Sequence, residues 1–225
     1  MPSETIRILL DRFLDYAGLF PPASLDMPAA LRNYGAYREG EYAWMLGRFV
    51  VPAARVREVD PSWPLAVLDT APRRIETAGA AVYFEVALHE DLAPVAAAGA
   101  RAKIRMGGDS FPEAAAVARF LRACAAERLP FKATAGLHHP LRHPPMHGFV
   151  NLFLAAALAW RGEDPHGTLE EQSAAAFRFG GDTAEWRGHT ILGPELRDVR
   201  EHFAISLGSC SFEEPVADLK ALGWL

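Results

Sequence analysis

Short runs rich in β-forming residues alternate eight times along this chain with alanine-rich stretches of helical character, with Pro, Gly, Asp and Ser between them. That alternation restricts the fold to βαβ units and a parallel sheet, because a helix must carry the chain back before the next parallel strand can begin. The spacing predicts strands at 17–21, 46–52, 64–69, 81–87, 101–106, 130–136, 176–180 and 203–208. Helices are predicted at 25–39, 53–59, 72–78, 90–98, 110–128, 147–161, 193–202 and 214–222. Eight strands, each followed by a helix, close a barrel and remove the sheet edges. The fold class is therefore α/β, a (β/α)8, TIM-like barrel. Ser3, followed by Ile6, Leu9, Leu10, Phe13 and Leu14 at helical spacing, predicts a capped amphipathic helix over 3–15, so residues 1–16 cap a single domain spanning 1–225. The seventh unit has a competing reading: Gly180-Gly181-Asp182 suits the turn of a hairpin reaching Trp186, which would leave an open, doubly wound sheet as the alternative.

A chain of 225 residues, 50% of them apolar, can bury a substantial core. Its formal charge of −5, with the arginines scattered, offers no basic surface for a phosphate backbone, so nucleic acid is not an expected partner. The longest apolar stretch, Phe149 to Trp160, is shorter than the roughly 20 residues needed to cross a bilayer. The N-terminus lacks the pattern of a secretory signal, which makes the cytoplasm the expected location. Cys124 and Cys210 form no CxxC pair, so neither a disulfide framework nor a four-thiolate zinc site is expected.

The cation usage is uneven: twenty arginines stand against three lysines, Lys103, Lys132 and Lys220. Lys220 fits the exposed face of the last helix. Lys103 and Lys132 lie inside runs that read as buried strands, 101–106 and 130–136. Strand alternation puts Ile104 and Met106 opposite Lys103 and Arg105, and Phe131, Ala133 and Ala135 opposite Lys132, Thr134 and Gly136. If the apolar faces meet the helices, the polar set points into the barrel, where a charge is costly unless it is paired. The preceding strand places Tyr83 and Glu85 inside in the same way, and Asp69 ends the strand before that. The expected site is thus an interior cluster of Glu85, Lys103, Arg105 and Lys132, with Asp69 beside it, at the carboxyl ends where barrel enzymes carry their chemistry. A lysine crowded by a second cation and partly desolvated loses its proton more readily, the condition for imine formation with a carbonyl. An internal salt-bridge network that only fills the barrel is the structural alternative.

Phe131-Lys132-Ala133-Thr134-Ala135-Gly136, on the sixth predicted strand, resembles the Schiff-base strand of class I aldolases of the deoxyribose-phosphate aldolase type, in which a lysine is followed two residues on by threonine and then by glycine. The resemblance spans six residues and implies that Lys132 forms an imine. That family carries a second lysine on strand seven, where this chain offers Arg178, and the additional lysine here is on strand five, so only Lys132 is carried over.

The loop that follows holds four of the eight histidines: His138, His139, His143 and His147. Imidazoles on the catalytic face serve as general acids and bases or as metal ligands. His138 and His139 are the catalytic candidates. A metal ion would take His138 or His139 with His143 or His147, joined by Glu85, Cys210 or Glu213, although no HExxH or HxH spacing occurs. After the last strand, Gly208, Ser209 and Ser211 offer donors for an anion at a helix start, with Cys210 bordering the pocket; a plain helix cap is the competing role.

These readings converge on a lyase of aldolase or dehydratase type acting on a small anionic carbonyl metabolite. Lys132 forms the imine, Glu85 and a loop histidine move protons, and Arg105, Lys103 and Thr134 hold the substrate. No cofactor is implied unless the loop histidines bind a metal ion, which would make the protein a metal-dependent hydrolase or lyase. The other rivals are phosphoribosyl transfer or decarboxylation in the same cationic interior and a non-catalytic barrel that binds an anionic metabolite. Membranes are not expected partners; other copies of this chain, in a homo-oligomer, are admitted.

Overall fold

The computed structural model describes residues 1–69, 74–108 and 110–225. The chain forms a closed eight-stranded barrel with helices around it. Its strands are β1 (Leu14–Tyr16), β2 (Leu46–Pro52), β3 (Leu65–Asp69), β4 (Ile75–Ala78), β5 (Ala81–Glu85), β6 (Arg101–Arg105), β7 (Phe131–Thr134) and β11 (Ala204–Ser209). Around the barrel they run β1-β11-β7-β6-β5-β4-β3-β2. The helices are α1 (Glu4–Leu10), α2 (Met27–Glu39), α3 (Ala93–Ala97), α4 (Ala114–Ala126), α5 (Phe149–Trp160), α6 (His166–Glu170), α7 (Gly193–His202) and α8 (Glu213–Ala221). None of them is long and apolar enough to cross a membrane among the described residues.

The third and seventh of the eight expected βα units depart furthest from expectation. The expected helix at 72–78 is not formed: 70–73 lie outside the described residues, and Ile75–Ala78 is strand β4, antiparallel to both β3 and β5. Gly79, at φ 62°, takes the first position of the two-residue turn to Ala81, a conformation that glycine adopts without steric penalty and that matches the twist of a hairpin. Along β4, Glu76 and Ala78 are buried and Thr77 is exposed, so the period is two and Glu76 projects inward.

The expected seventh strand, 176–180, is not part of the barrel either. Phe177–Phe179 (β8) joins Thr183–Trp186 (β9) and His189–Leu192 (β10) in a separate antiparallel sheet, the hairpin alternative at Gly180-Gly181-Asp182. The barrel thus keeps its count of eight by taking β4 in place of β8.

The first strand lies at 14–16 instead of 17–21, since Pro21 and Pro22 have no N–H to give to a ladder. Helix α1 is correspondingly shorter than expected and stops before Arg12, whose φ of 42° is left-handed. The segment expected as a helix at 53–59 is a 3₁₀ turn, Ala53–Glu58.

Helix α1 is tied to the amino end of the barrel by the buried Arg200 of α7. Its guanidinium donates to the backbone carbonyl oxygens of Leu9 (2.8 Å), Asp11 (3.1 Å), Ile205 (2.7 Å) and Ala204. The main core lies between the strands and the helices. Val50, Ala66, Ala78 and Tyr83 form a smaller interior group within the barrel.

Candidate active site at the carboxyl mouth of the barrel

Lys132 and Lys103 are neighbours in the ladder between β7 and β6, and both project into the barrel with only 1% and 2% of their surface exposed. Burying two ammonium groups side by side requires compensating charge. Glu76 of β4 supplies it to both: its Oε1 accepts from Lys132 Nζ at 2.5 Å and its Oε2 from Lys103 Nζ at 3.3 Å. Asp15 of β1, fully buried, accepts a second bond from Lys132 at 2.6 Å, together with the Ser206 hydroxyl at 2.8 Å and the Arg48 backbone N–H at 2.7 Å. Gly47 makes room for this carboxylate, because a Cβ there would come within 2.4 Å of Asp15 Oδ1. Toward the mouth, Lys103 reaches Glu85 at 3.4 Å, and Glu85 meets the exposed Arg74 at 3.4 Å. The result is a line of alternating charge, Asp15, Lys132, Glu76, Lys103, Glu85, Arg74, with three cations matched by three anions.

The pairing sets the proton affinities. Burial pulls the Lys132 amine down, but the Asp15 and Glu76 carboxylates outweigh it and hold the ammonium form above the usual lysine range. Burial would raise the Asp15 carboxyl; Lys132 instead brings it below the ordinary carboxylate range. The expectation that crowding by Lys103 would leave Lys132 partly neutral is therefore corrected: the decisive neighbours are carboxylates.

Above this line lies a cavity of about 520 Å3, a size suited to a small metabolite. Lys132, Lys103, Glu76 and Glu85 contribute to its floor, and Arg105, Thr134, Ser209, Cys210 and His138 to its walls. Arg105 makes no ion pair among the described residues. The loops after β6 and β7 touch through glycine: a Cβ on Gly136, at φ 70°, would sit 2.8 Å from the Cα of Gly107.

Of the other expected members, Asp69, His139 and Ser211 lie outside the cavity lining. Asp69 is exposed at the end of β3, and its neighbour Leu68 lines the cavity instead. His139 is outside the lining and bonds Asp218 of α8 at 2.6 Å, while His138 meets Glu214 at 3.1 Å. Ser211 caps the start of α8, its hydroxyl accepting from the Glu214 N–H at 3.2 Å, so the helix-cap role describes it. The Cys210 thiol is half-buried and pushed up by that burial. No group of three or more His, Cys, Asp or Glu side chains converges in a metal-binding arrangement among the described residues.

His147 is a structural member of the loop. Its Nε2–H donates to the Pro112 carbonyl at 2.7 Å, and Arg142 donates to Nδ1 at 3.3 Å, a pattern that fits the neutral ring. Burial lowers its proton affinity below the ordinary histidine value. The unfolded chain therefore binds this proton first on acidification, and stability is lost as the pH falls below about 6.5. Urea denaturation of wild type and His147→Gln across pH 7.5 to 5 is expected to show a shallower loss in the variant; identical slopes would remove His147 as the cause.

The inward direction expected for both lysines is found and Glu85 meets Lys103, whereas Arg105 is exposed at the end of β6 and reaches only the cavity wall; Asp15 and Glu76 were missed as partners of the lysines. The signal was present in the requirement that two buried ammonium groups have counter-charges, and in the alternation of Ile75-Glu76-Thr77-Ala78 just before Gly79.

Comparisons with models of known protein families, with curated proteins and with solved structures return no match to this chain.

Proposed function

We propose that this chain is an enzyme of the lyase class acting on a small anionic carbonyl compound, with Lys132 engaging the carbonyl. The observation that carries this reading is the pair of almost completely buried ammonium groups, joined by one carboxylate, at the floor of a metabolite-sized cavity. Charges in such a place are expensive for a fold and useful for chemistry. Arg105 and Arg74 at the rim are suited to a substrate carboxylate or phosphate.

In the covalent form of the mechanism, Lys132 passes a proton to Glu76 across the short hydrogen bond between them. The free amine adds to the substrate carbonyl, and the carbinolamine oxygen leaves as water with a proton returned by Glu76. The resulting iminium then accepts the electron pair of the bond broken next to it, either carbon–carbon in an aldol cleavage or carbon–hydrogen ahead of loss of a β-hydroxyl in a dehydration.

The raised proton affinity of Lys132 favours a second form in which the amine stays charged. Lys132 and Lys103 then polarise the carbonyl and stabilise an enolate by hydrogen bonding, with no covalent intermediate. Borohydride reduction of the enzyme during turnover of small keto acids, aldehydes and sugar phosphates, followed by peptide mass spectrometry, separates the two. The imine predicts reductive alkylation at Lys132 and loss of activity. Turnover that continues with Lys132 unmodified rejects the imine and leaves the charged-amine form, and absence of turnover across these compounds rejects the lyase reading.

A further inference from the structure

A second cavity, of about 560 Å3, opens at the opposite end of the barrel, where the amino ends of β2, β6 and β11 meet α1 and α7. Its lining contains six arginines: Arg7, Arg12, Arg48, Arg101, Arg197 and Arg200. They face three carboxylates, Glu4, Asp11 and Glu201, an excess of three positive charges in a chain whose formal net charge is −5. At the carboxyl mouth, by contrast, Lys132, Lys103 and Arg74 are matched by Asp15, Glu76 and Glu85, and Arg105 makes no ion pair among the described residues.

Only two of the six have a carboxylate partner among the described residues, Arg12 with Asp11 at 3.3 Å and Arg197 with Glu4 at 3.6 Å. Arg7 lies over the Trp44 ring at 4.9 Å, Arg101 donates to the Tyr83 hydroxyl at 3.1 Å, and the Arg48 guanidinium makes no side-chain hydrogen bond or ion pair among the described residues, although its charge helps to lower the Asp15 carboxyl. Arg200, buried at the base, is bonded to backbone carbonyl oxygens alone, and burial brings its guanidinium down to about 10. Guanidinium groups gathered in a concave site with half as many carboxylates disfavour one another, and an anion with several oxygen atoms relieves that while accepting forked hydrogen bonds.

We infer that the amino-terminal end of the barrel holds a binding site for a small polyanion, of the class of metabolites that carry a diphosphate or several carboxylates, separate from the cavity above Lys132. The concavity and the modest volume favour a small ligand over a nucleic acid chain, which needs a continuous basic track. Arg48 also connects this site to the other end, since its backbone N–H holds Asp15 and Asp15 holds Lys132.

The test uses inorganic pyrophosphate as the probe, titrated calorimetrically at low ionic strength into the full chain carrying Arg105→Gln, which removes from the carboxyl mouth a cation that makes no ion pair among the described residues. One saturable site per chain is expected. Adding Arg48→Gln or Arg7→Gln is expected to weaken it at least about tenfold, since each substitution takes away one forked pair of charged hydrogen bonds. Circular dichroism melts show which variants remain folded, and either one alone decides the matter. No saturable binding in the Arg105→Gln protein overturns the inference. So does binding indifferent to the added substitutions, or tighter, length-dependent binding of a single-stranded RNA oligonucleotide. Because this site shares no lining residue with the Lys132 cavity, its failure would leave the lyase reading untouched, and the converse also holds.

Discussion

Lys132→Met is expected to lower the stability of the fold by about 3–5 kcal/mol, because it leaves Asp15 and Glu76 buried without their shared cation, and to abolish the turnover proposed above. The pH dependence identifies the cause. In the wild type, Asp15 has a folded-state proton affinity below its unfolded one, so its contribution is present above about pH 3.9 and is lost as the pH falls further. In the variant, burial without Lys132 is expected to raise the Asp15 carboxyl above its unfolded value, so that the folded state favours the protonated form and loses stability as the pH rises. The gap between the two proteins is therefore expected to narrow on acidification from pH 7 toward 4. Urea denaturation at several pH values measures it. A constant gap, or a loss below about 1 kcal/mol, would mean that the amine is not the counter-ion of these carboxylates.

Glu76→Gln is the second large effect. Glutamine keeps the shape but removes the charge shared by two ammonium groups, while Asp15 and Glu85 still pair with one each. A loss of about 3 kcal/mol is expected. Burial already acts to deprotonate Lys132, and the variant withdraws one of the two carboxylates that oppose it, so the amine gives up its proton at lower pH than in the wild type. Reaction of Lys132 with an amine-directed acylating reagent, followed by mass spectrometry as a function of pH, is expected to shift to lower pH. The rate of turnover falls by about 10²–10⁴ if Glu76 carries the proton. A variant that loses stability yet keeps both the labelling profile and the rate would reduce Glu76 to a structural counter-ion.

The barrel was legible because its determinant is a count and a period, both of which can be read along the chain. Strand 46–52 is found where alternation places it, and helix 193–202 matches residue for residue. The inward direction of Lys103 and Lys132 follows from the same period of two. What escaped was the identity of their partners. Asp15 was not seen as a partner of the lysines because the first strand was expected at 17–21, with Pro21 inside it, whereas the strand runs from Leu14 to Tyr16 and carries Asp15 itself. Glu76 was hidden because the βα rhythm demanded a helix where Gly79 allowed a hairpin. Which histidines of the 138–147 loop line the cavity depends on how that loop folds against α8, and no periodicity records such packing. Asp218 and Glu214, which engage His139 and His138, lie more than seventy residues away in the chain.

The reversed strand β4 makes the electrostatics of the site a matter of turn length. Were the hairpin at Gly79-Ala80 longer or shorter by a single residue, every side chain of Ile75–Ala78 would exchange faces, carrying Glu76 to the outer wall and offering Thr77 to two ammonium groups. A change of two residues would restore the facing but displace the carboxylate along the strand by roughly 7 Å, beyond the reach of either lysine. The register of one short hairpin is thus the ruler by which this barrel measures out its interior charge.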